Sequence, residues 1–479
     1  MKLFYHTFIY PPTSLPADRS CYNPPMPNKV KAMNRTLRRS IFWIFVSIFA
    51  VSSPLLVLYT SGYRYNIASG QILRTGVISI ATDPRSVSIF VNDELQKSKT
   101  PTVVKRLMPD TYSVRLEKDG YLSWSGEVKV FSGATSIMNT ILLFLDSEPE
   151  MLFNKEAESF VPSPDGSLIA YTAIEEDWEE VWLYDLKSEE HKMIAQRLTS
   201  DIVTEIKWST NSEFLSVYNY EIGLSIFAKS GTEINLDIEQ TETVDSTFWH
   251  PSDGNTIFLA SETGLEEINL SSKSSKIIKN TDENSISLDA SILNFFDDGS
   301  FTELMQLIDG EPTLLALLPR SNYTIAERDG SYMLLTDDNE RLILLDIHAE
   351  IPILLETKAS IYDWTESKNL LVYSDGYEVN VYDPGPHTNQ FITRQGDRIE
   401  SLLWHSSATS ILFQLETKIV AHEHYNAGDS RKNFTLVSGV DEIKTAWVAS
   451  DGQMLYYYAF QNGSYGLYKL ELIKPFISL

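Results

Sequence analysis

The sequence predicts a mainly all-β chain held behind one N-terminal transmembrane helix: a small β-sandwich, then a ring of four-stranded sheets. Three observations carry this. An uncharged apolar run stands near the N-terminus, period-two apolar alternation follows it, and from residue 146 onward aromatic and turn residues recur about every forty positions. Composition agrees. Of 479 residues 43% are hydrophobic and 22% charged, which is a globular balance. The 24 Tyr, 22 Phe and 9 Trp suit strands.

Charge and cysteine content exclude several classes. With 39 Lys plus Arg against 65 Asp plus Glu, the net charge of −26 disfavours nucleic acid as a partner. Cys21 is the one cysteine, so an internal disulfide framework, a cysteine zinc ribbon and an iron–sulfur site are excluded. The charge is also unevenly spread. Residues 1–40 hold seven basic residues and one acid, residues 41–145 ten and seven, and residues 146–479 hold 22 and 57. This shift marks three differently built parts.

The first part is a tail and a span. No charge falls between Arg39 and Arg64, and Ile41 to Tyr59 within that gap is apolar. A helix of that length rises roughly 28 Å, close to the ~30 Å of a bilayer's hydrocarbon layer. Trp43 and Tyr59 sit near the two interfaces, and Pro54 is tolerable in a membrane helix. Lys29, Lys31, Arg35, Arg38 and Arg39 precede the span, which predicts a cytoplasmic N-terminus, a single pass through the plasma (inner) membrane and an extracytoplasmic bulk. The competing reading is a cleaved signal peptide, for which Ala50-Val-Ser52 is the sole small-x-small candidate. Residues 1–40 read as a disordered basic cytoplasmic tail, Pro-rich through Pro27. Met33, just before the basic cluster, is an alternative translation start.

Residues 60–74 read as a linker. Residues 75–145 then alternate with period two, as in Val87 to Val91 and Tyr112 to Leu116, with turn chemistry at Asp83-Pro84, Asn92-Asp93, Thr100-Pro101, Pro109-Asp110 and Asp119-Gly120. The expectation is an all-β sandwich. The order Asp83-Pro-Arg-Ser-Val87, Val91-Asn-Asp93, Thr100-Pro101, Leu107-Met-Pro-Asp-Thr-Tyr112 and Asp119-Gly-Tyr121 resembles the PEGA domain. It departs at Ser86-Val87, where the family has small Gly-Ala, and at Asp110, where it has Gly. The resemblance implies a structural or binding module of bacterial and archaeal surface proteins, without known catalytic residues.

Residues 146–479 carry a repeat. Its anchors are Pro162, Trp208, Trp249, Phe295, Ala326, Trp364, Trp404 and Trp447, at intervals of 46, 41, 46, 31, 38, 40 and 43. Such a period is that of β-propeller blades. Eight anchors predict eight blades, with seven as the alternative because 31 residues are tight for four strands. Met151-Leu-Phe153 is expected to close the ring against the segment from Tyr465 to Glu471. The turn Ser163-Pro-Asp-Gly166 and its degenerate copies resemble the TolB-type propeller repeat, which implies fold and not function.

No residue stands out as catalytic, cofactor-binding or metal-ligating. The anchor Trp residues are expected between sheets rather than on a sugar platform. His422-Glu-His424 offers two imidazoles for a metal but no third ligand, and exposed strand histidines are the expected reading. Asp282-Glu283, Asp297-Asp298 and Asp337-Asp-Asn-Glu340 lack the alternation of a Ca²⁺ loop and read as solvated loop ends. Nucleophile-elbow, His-Glu-x-x-His, Walker A and dinucleotide motifs are missing, and the chain stops within the last blade, leaving no length for a hydrolase domain. The expectation is a non-enzymatic cell-envelope protein without cofactors, displaying its sandwich and an acidic propeller to an extracytoplasmic protein or glycan partner of basic character. Two alternatives are a glycan-processing propeller using channel carboxylates and an anchored TolB-like assembly factor.

Overall fold

The computed structural model describes residues 34–474 apart from 67–69, 199–203, 220–222, 236–243, 251–252, 262–263, 279–284, 289–290, 298, 309–310, 330, 366–368 and 426–430. The tail at 1–33 and the pair Asp282-Glu283 lie outside the described residues. The chain divides into two compact units between Ile72 and Leu73.

The first unit contains one helix, Arg35–Thr60, with Pro54 inside it and no buried residue. It is long and apolar enough to cross a membrane. It starts six residues before the apolar run because Arg35 to Arg39 are good helix formers and continue it. Short strands at Tyr63–Asn66 and Gln71–Arg74 occupy much of the expected linker.

The second unit begins with the sandwich. Strands 102–107, 76–83 and 135–142 form one sheet, and 94–95, 88–91, 110–117 and 124–130 form the other. Residues 76–83 and 135–142 pair in parallel, Ile80 opposite Met138. Alternate side chains point inward, as the period predicts: Ile78, Ile80, Ile89, Val114, Leu116, Trp124, Val128 and Met138 are fully buried. Asn92 and Asp93 both take positive φ, 48° and 65°, which a tight two-residue hairpin requires. Ser86, standing where the resemblance expects a small turn, has φ 65°.

Among the described residues, eight antiparallel sheets follow. Blade 1 spans 159–198, blade 2 205–228, blade 3 244–278, blade 4 285–319, blade 5 323–358, blade 6 361–394, blade 7 399–437 and blade 8 442–471. Glu150–Phe153 completes blade 8 by pairing with Ser464–Glu471, Met151 opposite Tyr468. The expected closing strand is therefore present. Eight blades, not seven, make the ring. Its irregular intervals have a physical cause at blade 4. Phe295 lies in that blade's second strand, Ser291–Asp297, so the Asp-Asp-Gly turn after it joins strands two and three. The end of the first strand is Leu288, and the spacings from Trp249 to Leu288 and from Leu288 to Ala326 become 39 and 38.

The anchor Trp residues pack between sheets. Trp208, Trp249, Trp364 and Trp404 are 7–8% exposed. Three donate the indole N–H to the backbone of the preceding blade, one residue before its anchor. Trp208 reaches the Val161 carbonyl at 2.9 Å, Trp249 that of Lys207 at 3.1 Å and Trp404 that of Asp363 at 3.2 Å. Each indole thus buries its rings and satisfies its one donor across a seam. The turns repeat too. Ser163 Oγ donates to Asp165 at 2.7 Å, and Ser209 Oγ to Asn211 at the same distance one blade on. Gly452 is required where it stands, because its φ is 73° and a Cβ there would lie 3.0 Å from the His405 ring.

First strands of neighbouring blades approach one another, as 361–365 does 399–404, so they lie nearest the axis. Fourth strands such as Thr388–Arg394 are the most exposed. Because every blade is a meander, its first-to-second and third-to-fourth turns share one face of the ring, here the lower. Its second-to-third turns and the connections between blades share the upper.

The sandwich docks on the lower face at blades 7 and 8. Its core is continuous with theirs: Trp124, Val128 and Phe144 join Leu412, Ala421, Phe434, Leu455 and Leu472 in one cluster. Phe144 sits edge-on to Phe434, ring centres 5.5 Å apart, and to His405, 5.9 Å away. The Leu145 N–H donates to the Leu472 carbonyl at 2.9 Å, and Ser147 Oγ to that of Glu471 at 2.7 Å. The chain then enters the closing strand directly. Residue 146 marks a change of fold inside one compact unit.

Candidate binding cleft on the open face

The lower face at this point is a sealed polar joint. Glu423, at the end of blade 7's third strand, accepts the Trp124 indole N–H at 2.8 Å and the Lys432 N–H at 2.8 Å. Burial pushes its carboxyl up to about 7, while those two N–H groups and the Lys432 charge pull the other way. His405 is 1% exposed; its Nε2–H donates to the Gly452 carbonyl at 2.9 Å and its Nδ1 lies 2.8 Å from Ser407 Oγ. Burial lowers its pKa, which keeps the ring neutral.

The upper face at the seam between blades 8 and 1 is open. A cleft of about 580 Å³ is lined by Glu156, Glu158, Phe160, Lys444, Tyr458 and Tyr465 with neighbouring backbone. The connection 154–158 forms one wall because it carries the chain from the closing strand into blade 1. Its Ala157 N–H donates to the Tyr458 hydroxyl at 2.8 Å, which fixes the wall to the floor. Burial first, and nearby acids second, push that hydroxyl up to about 12, so it stays protonated and can donate to the Lys155 carbonyl at 3.3 Å. The floor is aromatic. Phe160 lies 4.7 Å from Tyr458, and Tyr458 stacks on Tyr465 at 5.3 Å.

Charges in the cleft divide into paired and unpaired. Lys444 Nζ is 2.6 Å from Glu442, which also accepts the Tyr465 hydroxyl at 2.8 Å, so the wall formed by blade 8 is internally neutralised. Glu156 and Glu158 are exposed and form no ion pair. Between them Lys155 turns the other way. Its ammonium lies 3.1 Å from Glu180, 3.4 Å from Glu175 and 4.1 Å from the centre of the Trp182 ring.

Other sequence candidates fall elsewhere. His422 and His424 are buried, 4% and 5% exposed, and not the exposed strand pair expected. His422 Nδ1–H donates to the Glu423 carbonyl at 3.0 Å and its ring stacks on Phe413, while His424 lies edge-on to Trp404. The sequence had no way to show this, since the sandwich and blade 8 cover that strand end from outside blade 7. Among the described residues no group of three or more His, Cys, Asp or Glu is placed to hold a metal ion. Asp337 caps its own turn, accepting the N–H groups of Asn339 at 2.9 Å and Arg341 at 2.8 Å; Asp338 accepts from Asn322, and Glu340 lies 3.7 Å from Lys358. Asp298 lies outside the described residues. The sequence reading named none of the cleft residues. Its available signal was the run Tyr456-Tyr-Tyr458 in a blade predicted to face the acidic connection Glu156-Ala-Glu158.

The architecture is that of a β-propeller carrying a docked β-sandwich behind an apolar helix. Residues 75–142 match the PEGA domain family. Searching curated proteins gives no match for the chain. Among solved structures, the chain is similar to the C-terminal WD40 domain of Sif2, with 14% identity over 67% of this chain and 98% of that one, at a TM-score of 0.47. The Dos1 propeller is similar at 11% identity over 68% and 95%, TM-score 0.47. An oligogalacturonate lyase in complex with manganese is similar at 10% identity over 67% and 99%, TM-score 0.40.

Proposed function

We propose that this chain is a non-enzymatic binding scaffold of the cell envelope, anchored in the plasma membrane by Arg35–Thr60 with its N-terminus in the cytoplasm and its β-domains outside. The PEGA domain serves as a structural base, occupying the lower face of blades 7 and 8 and leaving the upper face for a protein or glycan partner. One observation carries this reading: the two ends of the same blade differ, one sealed by a shared core and the other open above unpaired carboxylates. Charge supports it, since residues 146–479 hold 57 acids against 22 bases. Support for a binding rather than a hydrolytic role comes from the first strands, where Glu205, Glu400 and Glu442 each lie against a cation, Lys207, Arg398 and Lys444. A general acid–base pair needs two carboxyls facing a common substrate instead. An anchored assembly factor of the TolB kind would use the same architecture with a different partner.

Two measurements test this. In right-side-out membrane vesicles, added protease should digest the propeller; protection of the propeller until the vesicles are broken overturns the orientation. Affinity capture on the full chain should recover partners that are lost as salt rises. Hydrolysis of an envelope polysaccharide by the purified chain, abolished by a single carboxylate substitution, would replace the binding role with the enzymatic one.

A further inference from the structure

We propose that the cleft between blades 8 and 1 takes a lysine or arginine side chain from an extended basic peptide, its cation between Glu156 and Glu158 and its stem over the rings of Phe160 and Tyr465. This rests on the upper face being the binding face, and adds to it a site and a ligand class.

The chemistry follows from the parts. Glu156 and Glu158 are exposed, unpaired and two residues apart on one wall. Phe160, Tyr458 and Tyr465 supply a stacked floor whose ring faces attract a cation and whose edges pack an alkyl stem. Lys444 does not repel an incoming cation strongly, because Glu442 at 2.6 Å already offsets it. A volume of about 580 Å³ lies within the ordinary range of ligand sites. The same loop contains an internal precedent. Lys155 places its own ammonium over Trp182 between Glu175 and Glu180, so the wall already binds one cation this way on its other side. A neutral sugar seated here would leave two carboxylates facing it without a counter-charge, which costs desolvation and returns little. A metal ion would find two carboxylates and no third ligand among the described residues.

The experiment titrates the full chain in detergent micelles with a fluorescent octapeptide alternating arginine with serine, at low salt, reading anisotropy. Binding by the native chain is expected, weakening about tenfold in the double variant Glu156→Gln, Glu158→Gln, a loss in keeping with two partly exposed ion pairs. It should weaken less than about twofold in Asp338→Asn, Glu340→Gln, a pair of acids in the upper turn of blade 5. Tyr465→Phe should bind nearly as the native chain and Tyr465→Ala more weakly. Unchanged thermal unfolding of the Glu→Gln variant shows that the loss is not misfolding. Equal weakening by both double variants overturns the cleft but leaves an acidic binding face standing. No binding by the native chain at low salt overturns both. Salt-independent binding of a neutral β-linked oligosaccharide, lost in Tyr465→Ala and kept in Glu156→Gln, Glu158→Gln, overturns the peptide in favour of a glycan.

Discussion

Blade 8 ends below in a joint and above in a cleft, and the two ends use similar side chains for opposite purposes. Below, a tryptophan and a glutamate meet where water is excluded. Trp124 is fully buried, and Glu423, 6% exposed, answers its N–H. Above, tyrosines and glutamates meet where water enters, and Glu156 and Glu158 remain exposed over half-buried rings. A carboxylate inside the joint is structural because its desolvation must be offset by fixed donors. A carboxylate over the cleft keeps its hydration until a ligand replaces it. The comparison teaches that acidity alone does not mark a site; the solvent around each acid does.

The largest expected effect breaks the joint. Trp124→Ala removes the largest fully buried side chain and leaves Glu423 without its indole donor. Loss of about 3–5 kcal/mol is expected from the cavity. Since PEGA domain and propeller share one core, hydrogen exchange should quicken together in strand 124–130 and in blade 7's strand 418–423. Faster exchange confined to the sandwich would mean that the two are merely adjacent, and the contrast between the faces of blade 8 would fall.

How much of this was readable beforehand follows from what each residue has to do. The propeller was legible because its anchors perform one task eight times: an indole needs a carbonyl from the preceding blade, so Trp208, Trp249 and Trp404 recur at a fixed distance from Val161, Lys207 and Asp363. Blade 4 was misregistered because Asp-Asp-Gly-Ser suits any tight turn, and nothing in those residues tells a first turn from a second. The docking of the sandwich was not legible. Trp124 and Phe144 alternate as buried strand residues would in any sandwich, and a strand's inward face looks the same whether its cover is its own second sheet or another domain. Glu423 was visible only as the middle of a histidine pair.

The next effect sharpens the comparison through pH. Glu423 stands at about 7 in the folded chain against an ordinary 4.5. Between those values the folded chain holds a proton that the unfolded chain has released, so the stability present below pH 4.5 is lost as pH rises through 7. That contribution is about 3 kcal/mol at most. Asp363, raised by burial to about 6 from 3.8, adds a slope of the same sign at lower pH. Glu423→Gln should therefore flatten the stability profile chiefly between about pH 5 and 7, leaving the lower part intact. An unaltered profile would show that Glu423 is wetter than the joint requires.

Asp363 offers a smaller test away from the PEGA domain. Its carboxylate accepts the backbone N–H of Trp404 at 2.6 Å and of Trp364 at 3.0 Å, tying the first strands of blades 6 and 7. Asp363→Ala should cost about 1–3 kcal/mol by orphaning buried donors, and Asp363→Asn less, since the amide oxygen still accepts. Denaturant midpoints measure both. Equal losses would mean that the charge, and not the acceptor, holds the seam.

The smallest effect is expected where binding is proposed, and that makes it the sharpest discriminator. Glu156→Gln with Glu158→Gln removes two charges from an already acidic region and breaks no ion pair within the chain. Stability should stay within about 0.5 kcal/mol of the native chain, with any change a gain from relieved repulsion. Chemical denaturation at low and at high salt reads it, and the small gain should vanish at high salt. A loss above about 1 kcal/mol would show that these carboxylates hold the closing seam together, as Glu423 holds the joint. In that case both ends of blade 8 would be structural, and the open face would have no acids to spare for a partner.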